Sequence, residues 1–210
     1  MKLLIIGGTG KTGRELIGQS LQEGHDITAL VRNPSNLKIE HSNLHVVKGD
    51  VLDLETLNPV IKDQDVVISS LGHKKFFIKT SILSRGTKNI ITSMENNQVK
   101  RFICITSLGI NDSKYKLGLY YTLFTIPFIL FFYFRDKSKQ EKLIMNSSLD
   151  WTIVRPGQLI NGKKRGIYKH GLNLGHYILT KMVSRADVAH FIINLLKNKK
   201  YLKQTVGITY

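Results

Sequence analysis

Along the whole chain, short apolar runs alternate with segments whose apolar residues recur every three or four positions. Lys2 to Ile6, Asp26 to Arg32, Leu44 to Lys48, Asp65 to Ser70, Lys100 to Thr106 and Trp151 to Arg155 read as buried strands. Between them, Leu16, Ile17 and Leu21, then Leu57 and Ile61, then Ile82, Leu83, Ile90, Ile91 and Met94 fall at helical spacing. The last group predicts a helix over 77–96, and the pattern predicts another from Asp136 to Ser147. A short helix or loop is expected around Leu37, and Asp53 is placed to cap the helix through Leu57 and Ile61. Ser184, with Asp187 three residues on, opens the last long helix, and Val206 to Thr209 reads as a final strand. Such alternation predicts the α/β class, with a doubly wound, mostly parallel sheet covered on both faces. With no internal repeat or linker in view, 1–210 reads as a single domain.

The stretch after the first strand gives that sheet a chemistry. Gly7-Gly8-Thr9-Gly10-Lys11-Thr12-Gly13 lies between an apolar strand and a helix, the opening βαβ unit of a Rossmann-like, dinucleotide-binding domain. Gly7 suits the tight turn, Gly10 a close backbone approach to a pyrophosphate, and Gly13 close packing of helix on sheet. The phosphates would rest on free N–H groups at the positive end of the helix. Gly10-Lys11-Thr12 resembles the end of a P-loop, but that motif needs a glycine five positions earlier, where Ile5 stands.

At the end of the second strand an acidic residue would select NAD. This chain has Arg32 there, in Val31-Arg32-Asn33-Pro34. A guanidinium fork matches a 2′-phosphate, so the reading is NADP(H) rather than NAD(H). The alternative is a solvated arginine at a strand end.

Two features modify this picture. Residues 117–134 (LGLYYTLFTIPFILFFYF) hold no charge and are bounded by Lys114, Lys116, Arg135 and Lys137. That length is at the lower limit for a bilayer span, about 18–20 residues, and Gly118 and Pro127 weaken the case. The segment reads as an apolar insertion forming a substrate-pocket wall or lid, with peripheral membrane contact as the alternative. A basic, glycine-containing region around 157–183 would lie on the substrate side. The second feature is a net charge of +16, with clusters at Lys74-Lys75, Lys163-Lys164-Arg165 and Lys197 to Lys200. No recognition helix or RNA-binding signature accompanies it, so no specific nucleic acid is expected. Cys104, the only cysteine, sits in an apolar run as a buried, inert thiol, and the histidines show no metal-ligand spacing. The first strand begins without a signal-peptide plan, which predicts a cytoplasmic protein, peripheral to the membrane if residues 117–134 contact lipid. A monomer is the default expectation.

GGTGKTGRELI, ALVRNP, GDVLD, VKRFICITSLG, DKSKQE, SSLDWTIVRPGQL and SRADVA together resemble the atypical short-chain dehydrogenases/reductases. The resemblance is to their NAD(P)H-binding, NmrA-like branch, which includes the biliverdin reductase B type of flavin reductase. Ser148 stands where that branch has a glycine before its W-T-I-V-R-P-G strand. The resemblance implies that Gly7, Thr9, Gly10, Lys11, Thr12 and Gly13 hold the pyrophosphate, and that Arg32 meets the 2′-phosphate. It implies Asp50 and Val51 beside adenine, Leu71 and Gly72 beneath adenosine and ribose, and Thr106, Ser107, Pro156 and Gln158 flanking nicotinamide. For catalysis it points to Tyr133 and Lys137, a Tyr-x-x-x-Lys pair in which lysine assists the tyrosine and holds the ribose, and to Ser107 as a group polarising a substrate oxygen. The branch usually has an aliphatic residue at the Tyr133 position, so apolar packing is the other reading there. Glu141, one turn after Lys137, reads as a partner in a surface i,i+4 pair. The flavin reductases carry a histidine where this chain has Gln158, which counts against biliverdin chemistry and less against flavin or quinone acceptors. The expected activity is hydride transfer to a small planar acceptor; the alternatives are a redox sensor with little turnover and a membrane-surface assembly factor.

Overall fold

The computed structural model describes residues 1–73, 76–198 and 200–210. Lys74-Lys75 and Lys199, members of the expected basic clusters, lie outside the described residues. The strands are β1 (Lys2–Ile6), β2 (Asp26–Val31), β3 (Leu44–Lys48), β4 (Val66–Ser69), β5 (Arg101–Ile105), β6 (Asp150–Pro156), β7 (Gln158–Ile160), β8 (Lys169–Gly171), β9 (Met182–Ser184) and β10 (Gln204–Thr209). The α-helices are α1 (Lys11–Gln22), α2 (Leu54–Ile61), α3 (Ile82–Asn96), α4 (Phe131–Met145) and α5 (Arg185–Leu196).

An eight-stranded sheet runs in the order β3-β2-β1-β4-β5-β6-β10-β8, parallel except for β8, which pairs antiparallel with β10 at the edge. The chain reverses its direction of travel across the sheet between β1 and β4, which is where an open α/β sheet forms its ligand crevice. β7 and β9 make a separate two-stranded parallel pair.

Side-chain alternation along β1 explains the two layers. Leu3 and Ile5 join Leu16 and Ile17 of α1 and Val188 and Ile192 of α5 on one face. Leu4 and Ile6 join Leu57 of α2, Ile90 and Met94 of α3 and Ile144 of α4 on the other. Most of these side chains are wholly buried, each contributing about 1.5–3 kcal/mol relative to exposure.

Several expected boundaries held. Asp53 accepts from the Glu55 N–H at 3.0 Å as the cap of α2, and Ser184 Oγ accepts from the Asp187 N–H at 3.0 Å as the cap of α5. Others moved. The helix expected over 77–96 starts at Ile82, because its first N–H groups are capped from outside: Asp136 of α4 accepts from Leu83 N at 2.9 Å and Ser84 N at 3.2 Å. The helix expected from Asp136 starts at Phe131, where the apolar stretch is already helical and buries Phe134 against Leu108, Ile110 and Leu117. Ahead of it Tyr121–Leu130 takes a wider, π-type winding that accommodates the ring of Pro127. Among the described residues no helix is long and apolar enough to cross a membrane.

Candidate cofactor site and active site

In this parallel sheet the loops after β1 to β6 lie along one edge, and every residue expected from the sequence to bind the cofactor falls on or beside them, as does Ser107. Gly7 turns at φ +86°, and a Cβ there would meet the Ser70 carbonyl oxygen at 2.8 Å. A Cβ on Gly13 would stand 2.2 Å from the Gly7 oxygen, so only glycine lets α1 approach β1 this closely. Gly10 is the N-cap residue of α1; no side chain caps the helix and no acid occupies its first turn. Its leading N–H groups, with Thr9, Lys11 and Thr12 beside them, form a cradle suited to an anion. Ser70 Oγ donates to Ile6 O at 3.0 Å, which ties the loop after β4 to the glycine loop.

Arg14, missed in the sequence, secures the other side. Its guanidinium donates to Thr9 O at 3.2 Å and to Asn36 O at 2.5 Å, fastening the glycine loop to the turn that follows Arg32. Arg32 itself is exposed just beyond β2. Asp50 holds the loop after β3 by accepting from Leu52 N at 3.0 Å. Val51 is buried against α3 at Gly86, where a Cβ would lie 2.8 Å from the valine Cγ2 and 3.6 Å from Leu71 Cδ1. Gly86 therefore gathers Val51 and Leu71 into one wall.

α4 brings the candidate pair Tyr133 and Lys137 to the loop after β4. Tyr133 Oη would be 3.4 Å from a Cβ on Gly72, and the ring meets His73 edge-on with centroids 4.8 Å apart. Lys137 lies one turn on, 3% exposed, with Nζ 5.2 Å from the centre of the Tyr133 ring. Among the described residues no carboxylate stands within salt-bridge distance of it.

Beneath this pair is an ionic frame that the sequence reading placed wrongly. Glu141 is not part of a surface pair: it is wholly buried and accepts from Arg155 Nε at 2.9 Å and Nη2 at 2.7 Å. Thr106 Oγ1 donates to Glu141 Oε1 at 2.6 Å and Asn111 Nδ2 to Oε2 at 2.7 Å, while Ser138 Oγ donates to Asn111 Oδ1 at 2.6 Å. Arg155 also reaches Asp112 at 2.8 Å. Burial works against the guanidinium charge, but hydrogen bonds to Glu141 and Asp112 outweigh it and hold Arg155 protonated above its usual range. In return Arg155 holds the Asp112 carboxyl below its ordinary value. The available signal was an arginine inside the apolar strand WTIVRP, which demands a buried anion.

The frame fixes what Thr106 and Ser107 can offer. The Thr106 hydroxyl is committed to Glu141, and Ser107 Oγ donates to the neighbouring Leu108 carbonyl at 2.8 Å, keeping its lone pairs. Leu108 N donates to Pro156 O at 3.0 Å, joining the ends of β5 and β6. Gln158 N donates to Lys181 O at 2.9 Å, which directs the chain into β7. Cys104 lies under the site, its thiol pushed up to about 12 by burial, and is inert.

A family model described as NAD(P)H-binding matches residues 7–199, from the glycine cradle to the end of α5. The chain belongs to that family. Among solved structures, the family member is similar over its whole length to ChuY, an anaerobillin reductase from Escherichia coli O157:H7, with a TM-score of 0.82 at 23% identity and 97% of that chain covered. It is equally similar in fold to a wide-type short-chain dehydrogenase/reductase from Veillonella parvula solved with NADP, at TM-score 0.82, 17% identity, and coverage of 100% and 94% of the two chains. These likenesses establish the Rossmann-like fold, a mostly parallel sheet flanked by helices. An isoflavone reductase homolog of Solanum tuberosum is 37% identical over 110 residues, 48% of this chain. The chain spans only 33% of that relative's length, and 46% and 61% of two others.

Proposed function

We propose that the protein is an NADP(H)-dependent reductase that passes hydride to a small planar acceptor of flavin or quinone type. The observation that carries this reading is Lys137: its side chain is 3% exposed and lies over the Tyr133 ring at the crevice edge, and among the described residues no carboxylate stands within salt-bridge distance of it. An ammonium offers its donors to a ligand oxygen there, and a ribose hydroxyl is a fitting partner. The bound nicotinamide supplies the hydride chemistry. Gly7, Gly10 and Gly13 receive the pyrophosphate, Arg32 the 2′-phosphate, Asp50 and Val51 the adenine, and Leu71 and Gly72 the adenosine and ribose. Tyr133 Oη holds the proton for the acceptor, and the Ser107 hydroxyl, turned from the Leu108 carbonyl, polarises the acceptor's oxygen. Pro156 and Gln158 border the nicotinamide side.

One observation favours a second reading, a redox sensor with little turnover: the Thr106 and Ser107 hydroxyls are both engaged within the protein, which leaves Tyr133 and Lys137 to supply a proton. The two readings separate in a steady-state assay of NADPH and NADH oxidation against flavin, quinones and biliverdin, with binding followed by nicotinamide fluorescence. Turnover with NADPH well above NADH supports the reductase. Tight binding without turnover on any acceptor supports the sensor, and no binding removes both.

A further inference from the structure

The helical segment Tyr121–Leu130 carries no charge on any side, yet none of its residues is buried. A helix apolar around its circumference is ordinarily enclosed by protein or by lipid. Here Tyr121, Ile126 and Leu130 touch the small cluster at the end of β5, while Phe124 and Phe128 stand 57% and 74% exposed. Two other stretches extend the apolar surface. Leu119 N donates to Ile178 O at 3.0 Å, which lays the exposed Tyr177–Leu179 strap beside the segment. On the other side the Phe76 ring meets Tyr133, and the exposed Phe77 and Ile78 follow it. A patch of this kind marks an interaction surface.

Charge identifies what it fits. Between residues 113 and 135 there is no acid, and Lys114, Lys116 and Arg135 bracket the apolar stretch. The acids at its two borders are both occupied: Asp112 by Arg155, and Asp136 by the N-terminus of α3. The surface therefore presents an apolar wedge in an uncompensated cationic rim. A second copy would set two such rims, on chains of +16 each, against one another. An anionic bilayer surface satisfies both features, with rings at the acyl boundary and cations at the headgroups.

We propose that this face docks on the surface of anionic membranes, with Phe124 and Phe128 inserted and Lys114, Lys116 and Arg135 at the headgroups. The contact is interfacial, since among the described residues no helix is long and apolar enough to span. It places the crevice edge at Tyr133 and Gly72 next to the bilayer. Vesicle binding is its readout, so it stands or falls separately from the reductase reading.

The test is co-sedimentation of the full chain with phosphatidylcholine vesicles, with and without phosphatidylglycerol, at low and high salt. Sedimentation velocity without lipid runs in parallel. Phe124→Glu/Phe128→Glu and Lys114→Glu/Lys116→Glu change exposed or half-exposed side chains, and circular dichroism with NADPH binding checks that both variants fold. The expected result is binding to the anionic vesicles that falls at least about tenfold in each variant and without phosphatidylglycerol, and weakens at high salt. No binding to anionic vesicles at low salt overturns the proposal. Equal binding by the folded Phe124→Glu/Phe128→Glu variant also overturns it, since net charge alone would then suffice. A wild-type dimer that this variant converts to monomer assigns the face to a second copy and overturns it too.

Discussion

Lys137 and Tyr133 stand one turn apart on α4, the ammonium 5.2 Å from the centre of the phenol ring. If Tyr133 delivers the proton, Tyr133→Phe lowers kcat by about 100-fold while the melting temperature and NADPH affinity stay near wild type. Lys137→Met is expected to weaken NADPH binding as well, because it removes the cation proposed to meet the ribose. Equal kcat in Tyr133→Phe and wild type removes the tyrosine from the chemistry.

The Arg155–Glu141 pair is wholly inside the protein, and breaking it strands a buried charge. Glu141→Ala is expected to cost about 3–5 kcal/mol in urea unfolding. Replacing both residues together, as Glu141→Leu with Arg155→Met, should cost far less. A small loss in Glu141→Ala would show that Asp112 alone satisfies the guanidinium.

Glycines of α1 give opposite outcomes within one helix. Gly13→Ala places a Cβ 2.2 Å from Gly7 O and 2.8 Å from Gly8 Cα, both backbone, so α1 must move off β1. The expected cost is about 1–3 kcal/mol, with loss of NADPH binding. Gly18→Ala meets nothing within 4 Å and should stabilise by up to about 1 kcal/mol. Thermal unfolding of both variants checks the contrast.

Burial holds His25, His170 and His190 below the ordinary histidine value. The unfolded chain then binds the proton more readily than the fold does. The stability these groups carry is present above about pH 6.5 and is lost as pH falls through the lowered values. The melting temperature should drop between pH 7.5 and 5. The drop should be shallower in His190→Gln, which replaces the ring bonded to Tyr168 Oη at 3.0 Å and Asn194 at 3.3 Å. Parallel profiles would exclude His190 as a contributor.

Local chemistry made much of this fold legible. The β1–glycine–α1 unit is written in adjacent residues, as are the Asp53 and Ser184 caps, and each needs no distant partner. What escaped the sequence was supplied from far along the chain. α3 begins at Ile82 because Asp136, more than fifty residues on, caps it. Glu141 sits at a spacing suited to a surface pair, and only the fold reveals that β6 brings Arg155 to it. The loops expected to hold the cofactor could be named from their motif, whereas the fastening of those loops could not: Arg14 lies within the quoted GGTGKTGRELI, but its reach to Asn36 O is set by the fold, and Gly86 belongs to no motif.

The central claim is that this family member is built for NADP(H), with Arg32 on the 2′-phosphate. Its most direct test is titration of wild type and Arg32→Ala with NADPH and NADH, followed by nicotinamide fluorescence. A charge-assisted contact of about 1.5–3 kcal/mol predicts that wild type binds NADPH at least about tenfold more tightly than NADH. In Arg32→Ala that difference should collapse while NADH affinity holds. Equal affinity for the two cofactors in wild type, or binding of neither, would contradict the account.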